Sequence, residues 1–217
     1  NTNIKVKITA KDAAPDDENN SSGIRQINRV TEKDINAEAI DDPHTNDKGD
    51  EEFTATFEIV DNGEYYFVVE DVAGNKTLVP VTVSNIDRIA PEINLPYNEE
   101  EWHNGEFTIN ITFTDNFGVA KICFPGYPDE VLEEKEQTVT RSYTISAKGS
   151  YTFKVYDEAG NETIRTITVK HDSKAPEVNS VVLDPAVPTQ QNVNITITAK
   201  DAEEDENNNT SGIKQIN

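Results

Sequence analysis

Hydrophobic and polar residues alternate with a period of two along most of this chain, the pattern of strands buried on one face. Ile4, Val6, Ile8 and Ala10 fall on one side, with Lys5, Lys7 and Thr9 on the other. Phe107, Ile109, Ile111 and Phe113 share a face opposite Thr108, Asn110 and Thr112. Tyr65, Phe67 and Val69 make a further inward stripe, as do Tyr151, Phe153 and Val155. The abundance of Thr, Val and Ile in these segments supports strands. No stretch keeps a helical period over ten residues; Glu130 to Gln137 comes nearest, and it is short and charged. Short alternating segments, polar outer faces and frequent turn signals predict antiparallel sandwiches of about seven strands.

The same segments recur. Ile8-Thr9-Ala10-Lys11-Asp12, an acidic insert and Ser22-Gly23-Ile24-Arg25-Gln26-Ile27-Asn28 return as Ile197-Thr198-Ala199-Lys200-Asp201, an acidic insert and Ser211-Gly212-Ile213-Lys214-Gln215-Ile216-Asn217, at one constant offset. Between them lies a diverged copy ending in Asp115, whose loop is cut to Asn116-Phe117 before Gly118-Val119. A second motif runs from Gly63 through Tyr65, Phe67 and Val69 to Asp71-Val72-Ala73-Gly74-Asn75. It reappears from Gly149 to Asp157-Glu158-Ala159-Gly160-Asn161. Asp-x-Ala-Gly-Asn reads as a tight hairpin turn, in which Gly supplies positive φ and the Asp and Asn side chains bond nearby backbone. A third motif marks the joints, as Asp87-Arg88-Ile89-Ala90-Pro91 and Asp172-Ser173-Lys174-Ala175-Pro176. Units of this length are too long for solenoid repeats and suit a tandem array of small domains.

Taken together, these three motifs resemble the bacterial immunoglobulin-like repeats of low-GC Gram-positive surface proteins and of large secreted glycoside hydrolases. The resemblance covers nearly the whole chain. It implies an all-β fold of tandem antiparallel immunoglobulin-like β-sandwich domains: residues 1–87, lacking the first strand; a complete domain at 88–172; and the N-terminal part of a third repeat at 173–217. The first domain would have strands at 3–11, 22–31, 52–60, 64–71 and 76–86. The second would have them at 90–95, 106–114, 118–124, 136–147, 150–157 and 161–170. Residues 175–217 are too few to bury a sandwich core and are expected to find partner strands, for example by exchange with another chain. The implied role is a non-catalytic extracellular structural or adhesive repeat, a stalk or spacer at the bacterial cell surface. The alternative is an accessory carbohydrate- or protein-binding module of a secreted glycoside hydrolase. Partners would be a host or cell-surface protein or a glycan.

Charge narrows the partners. Across 217 residues the formal net charge is −22. Nucleic acid needs Lys and Arg to neutralise phosphates, and anionic membrane surfaces need basic patches, so both are excluded as partners. Cys123 is the single cysteine, which rules out an intrachain disulfide and reads as a small buried hydrophobe. No apolar run approaches the ~20 residues of a membrane span, and no signal peptide is visible. With Asn1 first and no Met anywhere, the chain reads as an excerpt of a longer one.

Catalytic chemistry finds little support. His44, His103 and His171 fall in separate loops without metal-ligand spacing, and there is no Gly-rich phosphate loop. Lys5, Lys7 and Lys154 alternate onto the polar face, which speaks against a Lys–Asn isopeptide crosslink. No cofactor is required by the sequence; calcium is the one ion it suggests. In an immunoglobulin-like sandwich the loops after the strands at 106–114 and 150–157 share a pole with the domain's start. That would gather Asp87, Asp115, Asn116, Asp157 and Asn161, hard oxygen donors of the kind Ca²⁺ takes. Asp12, Asp71 and Asn75 would occupy the corresponding pole of the first domain, and the acidic loops Asp12 to Asn20 and Asp201 to Asn208 add similar groups. The plainer reading is that these aspartates cap turns. For a sugar, Trp102 and Tyr97, beside His103, are the candidate stacking residues, set against a packing role for Trp102.

Overall fold

The computed structural model describes residues 3–13, 21–48, 50, 52–202 and 210–217; most of the two acidic loops, at 14–20 and 203–209, lies outside them. The chain forms two compact units, Asn1–Arg88 and Ile89–Asn217. Both are all-β, and the described residues contain no helix.

The first unit contains β1 (Ile4–Lys11), β2 (Ile24–Val30), β3 (His44–Thr45), β4 (Glu52–Ile59), β5 (Gly63–Asp71) and β6 (Lys76–Val83). β1 and β4 make one antiparallel sheet, and β3, β2, β5 and β6, in that order, make the other. Burial in β1 alternates residue by residue, as period-two patterning requires. Its inner face packs on a core of Ile24, Ile27, Ala55, Phe57, Ile59, Phe67, Val69 and Val83. On the outer face Thr9 and Thr54 bond hydroxyl to hydroxyl across the strands at 2.9 Å.

The second unit contains β7 (Glu92–Asn94), β8 (Trp102–His103), β9 (Phe107–Cys123), β10 (Glu130–Ile145), β11 (Gly149–Asp157), β12 (Glu162–His171), β13 (Glu177–Asp184) and β14 (Asn194–Lys200). Where the sequence suggested two strands at 106–114 and 118–124, β9 is one strand of 17 residues. Its first half pairs with β7 and with the later part of β10, and its second half pairs with the start of β10 and with β11. The chain thus passes between layers through an irregularity at Asp115–Gly118 rather than a loop. Gly118 makes this passage at φ 124°, and a Cβ there would lie 3.2 Å from Lys135 Cβ, so any other residue would be strained. The charged Glu130–Gln137 stretch is also strand, with register slips on either side of Glu136. Between the layers lie Ile109, Ile111, Phe113, Val119, Ile122, Val139, Tyr143, Ile145, Phe153, Val155, Ile167 and Val169, with Ile93 and Leu95 from the leading segment.

Two details depart from the sequence reading. His103 and His171 do not lie in separate loops: β8 adds to β12 in parallel with the two histidines in register, and His44 lies in β3. Cys123 is half-buried rather than buried; burial and a bond with Asp129 push its thiol above the ordinary range. β13 and β14 pair as an antiparallel hairpin whose apolar residues, among them Val181, Leu183 and Ile195, stay exposed.

Candidate functional site

An aspartate precedes each Gly-Ile or Gly-Val segment, just after β1 and β14 and within β9, and in all three repeats its carboxylate clamps that glycine. Asp12 Oδ2 accepts from Gly23 N at 2.8 Å and from Ser22 Oγ at 3.0 Å. Asp201 Oδ2 accepts from Gly212 N at 2.6 Å and from Ser211 Oγ at 3.3 Å. Asp115 uses Oδ1 instead, accepting from Phe117 N at 2.8 Å and Gly118 N at 2.7 Å. The short loop there holds Phe117 where the other repeats hold serine, so no hydroxyl reaches Asp115. Its Oδ2 is buried without a hydrogen-bond partner.

The Asp-x-Ala-Gly-Asn units form the turns between β5 and β6 and between β11 and β12, with Gly74 at φ 91° and Gly160 at φ 86°. Asp71 Oδ1 accepts from Asn75 N at 2.7 Å and its Oδ2 from Asn75 Nδ2 at 2.6 Å. Asp157 and Asn161 repeat the arrangement at 2.8 and 2.6 Å. The Asn75 side-chain amide holds the Asp71 carboxyl below its ordinary value, helped by the N–H groups of Asn75, Gly74 and Ala73 against the opposing effect of burial. A carboxyl lowered on folding adds stability above its unfolded value and loses it as pH falls through the folded one. Asp71→Asn is therefore expected to lower the melting temperature of the first unit at pH 7, with a gap to wild type that closes towards pH 2. Melts across that range test this; a gap independent of pH would mean the charge does not hold the turn.

The fold brings together two of the aspartates that the sequence singled out in the second sandwich. Asp115 and Asp157 are 8% and 3% exposed, and they present carboxylate oxygens within 4.8 Å of each other. Asn161 bonds Asp157 and reaches the carbonyl of Ile89 at 3.4 Å, while the carbonyl of Asn116 accepts from Gln137 Nε2 at 2.7 Å. Asp115 and Asn116 line an open recess of about 460 Å³ with Glu92, Thr114, Gln137 and Thr138. Asp87 belongs to the first unit, in the segment following β6. In the first unit Asp12 and Asp71 are engaged in the clamp and the hairpin. Asp172, the joint residue of the third repeat, accepts from Ser211 N at 2.7 Å and Lys174 N at 3.1 Å, and the Ser211 bond comes first in lowering its carboxyl.

The stacking candidates fare differently from one another. Tyr97 is half-buried in a stack with His103 and Phe107, its ring centroid 5.9 Å from each, whereas Trp102 is 38% exposed on β8. Sequence reasoning missed Tyr127. Its ring is 63% exposed, meets Tyr143 edge-on at 5.9 Å, and lines a recess of about 330 Å³ with Phe124, Glu130, Ser142 and Thr144. Glu130 there is held by Arg141, with Arg141 Nη2 2.6 Å from its Oε1. A lone tyrosine in a Gly-Tyr-Pro turn carries no periodic signal, so the pattern gave no reason to single it out.

The fold and its clamped turns define an all-β protein of antiparallel sandwiches with acidic ends. No protein-family model and no curated protein matches the chain. Among solved structures it is similar to the fibronectin(III)-like modules of Clostridium thermocellum CbhA, at 16% identity and a TM-score of 0.32 over 78% of this chain and 87% of that one. It is also similar to SGBP-B of the Bacteroides ovatus mixed-linkage glucan utilization locus, solved with a mixed-linkage heptasaccharide. That match has 17% identity and a TM-score of 0.23 over 74% of this chain and 41% of that one. No helix among the described residues is long and apolar enough to cross a membrane.

Proposed function

We propose that this chain is a non-catalytic, extracellular structural and adhesive segment of a bacterial surface protein, a spacer built from immunoglobulin-like repeats over 1–87, 88–172 and 173–217. One observation carries the reading: the aspartate clamp and the Asp-x-Ala-Gly-Asn hairpin recur as the same hydrogen bonds in successive repeats. What recurs is the framework of turns and strand junctions that fixes each sandwich, as a tandem spacer requires. The exposed apolar face of β13 and β14 is where the expected pairing with strands of another chain would form. A spacer must bear load. Stretched from its two ends in a single-molecule experiment, the chain is expected to yield separate unfolding events, one for each sandwich, each lengthening it by about 3.3–3.6 Å per residue released. A featureless extension would sink the spacer reading.

Tyr127 favours a second reading, an accessory module that binds carbohydrate. An exposed ring over a recess with polar walls suits the face of a sugar and its hydroxyls. Glycan-array binding that Tyr127→Ala abolishes would put this reading first; binding that it leaves intact would remove it.

A further inference from the structure

The second sandwich ends in a pair of carboxylates that its turn chemistry does not fully use. Asp115 spends Oδ1 on two backbone N–H groups, and its buried Oδ2 has no partner. Asp157 spends its oxygens on Asn161, yet one of them lies within 4.8 Å of an Asp115 oxygen. Like charges this close and this dry oppose one another, and burial penalises both. The recess beside Asp115 is lined by no Lys, Arg or His. Lys135, whose Cβ lies against the Gly118 position, gives its ammonium to Glu158. In the other two repeats the corresponding aspartate takes its glycine N–H and a serine hydroxyl on one oxygen, Oδ2, whereas Asp115 takes two backbone N–H groups on Oδ1 and its Oδ2 is the buried one.

We propose that Asp115 and Asp157 are protein ligands of a calcium site at this end of the second sandwich. The donors are all oxygen, which selects a hard cation over zinc or copper. Calcium bonds of about 2.3–2.6 Å let one ion bridge two oxygens up to about 5 Å apart, whereas magnesium, at about 2.0–2.1 Å, would have to draw them closer. The open recess supplies room for water in the remaining coordination positions. Bound there, the ion ties the passage in β9 to the hairpin between β11 and β12 and offsets the repulsion of the pair. The site does not depend on whether the chain is a spacer or a sugar-binding module.

The experiment is calorimetric titration of CaCl₂ into the full chain after chelation and dialysis. Saturable binding is expected at about 10⁻⁴–10⁻³ M, the range of extracellular modules, with a higher melting temperature in calcium. Asp115→Asn keeps the Oδ1 acceptor and is expected to weaken binding at least tenfold. Glu177→Gln, which removes an exposed acid elsewhere, is expected to leave binding unchanged. An absence of saturable heat overturns the site, as does heat that Asp115→Asn leaves unaltered, which would be counterion binding to the acidic surface. Should the variant fail to fold, the wild type still decides. The Gly118 and Asn161 amide resonances must shift and saturate with calcium, and their staying in place overturns the proposal.

Discussion

Phe153→Ala is expected to cost the second sandwich about 3–5 kcal/mol, and Phe67→Ala the first sandwich a similar amount. Both rings are fully buried at equivalent positions of the repeat, on the strand leading to the Asp-x-Ala-Gly-Asn turn. Phe153 meets Tyr143 edge-on with centroids 5.2 Å apart and Phe124 at 6.1 Å, while Phe67 packs on Phe57 at 4.7 Å. Truncation leaves a cavity between two sheets held apart by their own hydrogen-bond ladders, so the layers cannot collapse to fill it. A loss of this size is a large part of the about 5–15 kcal/mol that keeps a domain folded. Urea unfolding of each variant measures it. A cost below about 1 kcal/mol at either position would show that the repeat's central aromatic is not what joins its layers.

Those two rings were legible beforehand because a strand with one buried face must alternate, and Tyr-x-Phe-x-Val does so twice. The same rule places Ile109, Ile111 and Phe113 inside, and the structure buries all three. Where alternation is lost, so is legibility. Glu133 to Glu136 carry charge on successive residues in an exposed part of β10, where only Leu132 beside them packs on the core, so no period is displayed. The unbroken course of β9 was hidden for another reason. Asp115 and Gly118 are turn residues by type, but here the clamp and a positive φ carry the chain from one layer to the next without ending the strand. The pairing of β8 with β12, two residues long and parallel, joins segments far apart in sequence and is too short to show a period.

The candidate site was half legible. Spacing identified which aspartates end strands and which begin the Asn-closed turns, and the structure brings Asp115 and Asp157 within reach of each other. What spacing did not weigh is that an aspartate has two oxygens with separate fates. The long-loop repeats hold Ser22 and Ser211 before the glycine and the short loop holds Phe117, whose backbone N–H takes the place of the serine hydroxyl. Only the geometry shows that both bonds to Asp115 fall on Oδ1 and leave its Oδ2 buried without a partner.

That division of labour within a single side chain predicts opposite behaviour for two substitutions at Asp115. Asp115→Ala removes the acceptor for Phe117 N and Gly118 N, the second of these bonds being buried. A buried donor left unmatched costs about 1–3 kcal/mol, so the alanine variant is expected to lose about 2–4 kcal/mol with or without calcium. Asp115→Asn retains Oδ1 for both donors and removes the repulsion with Asp157. In chelator it is expected to melt close to wild type, and in millimolar calcium to fall below it, because only the wild type gains from the ion. Thermal melts of the three proteins in both buffers give the comparison. If asparagine proves as damaging as alanine in chelator, the carboxylate's charge, not its clamp on Gly118, holds the passage between layers. If asparagine and wild type remain level in calcium, the free oxygen has no ion to bind.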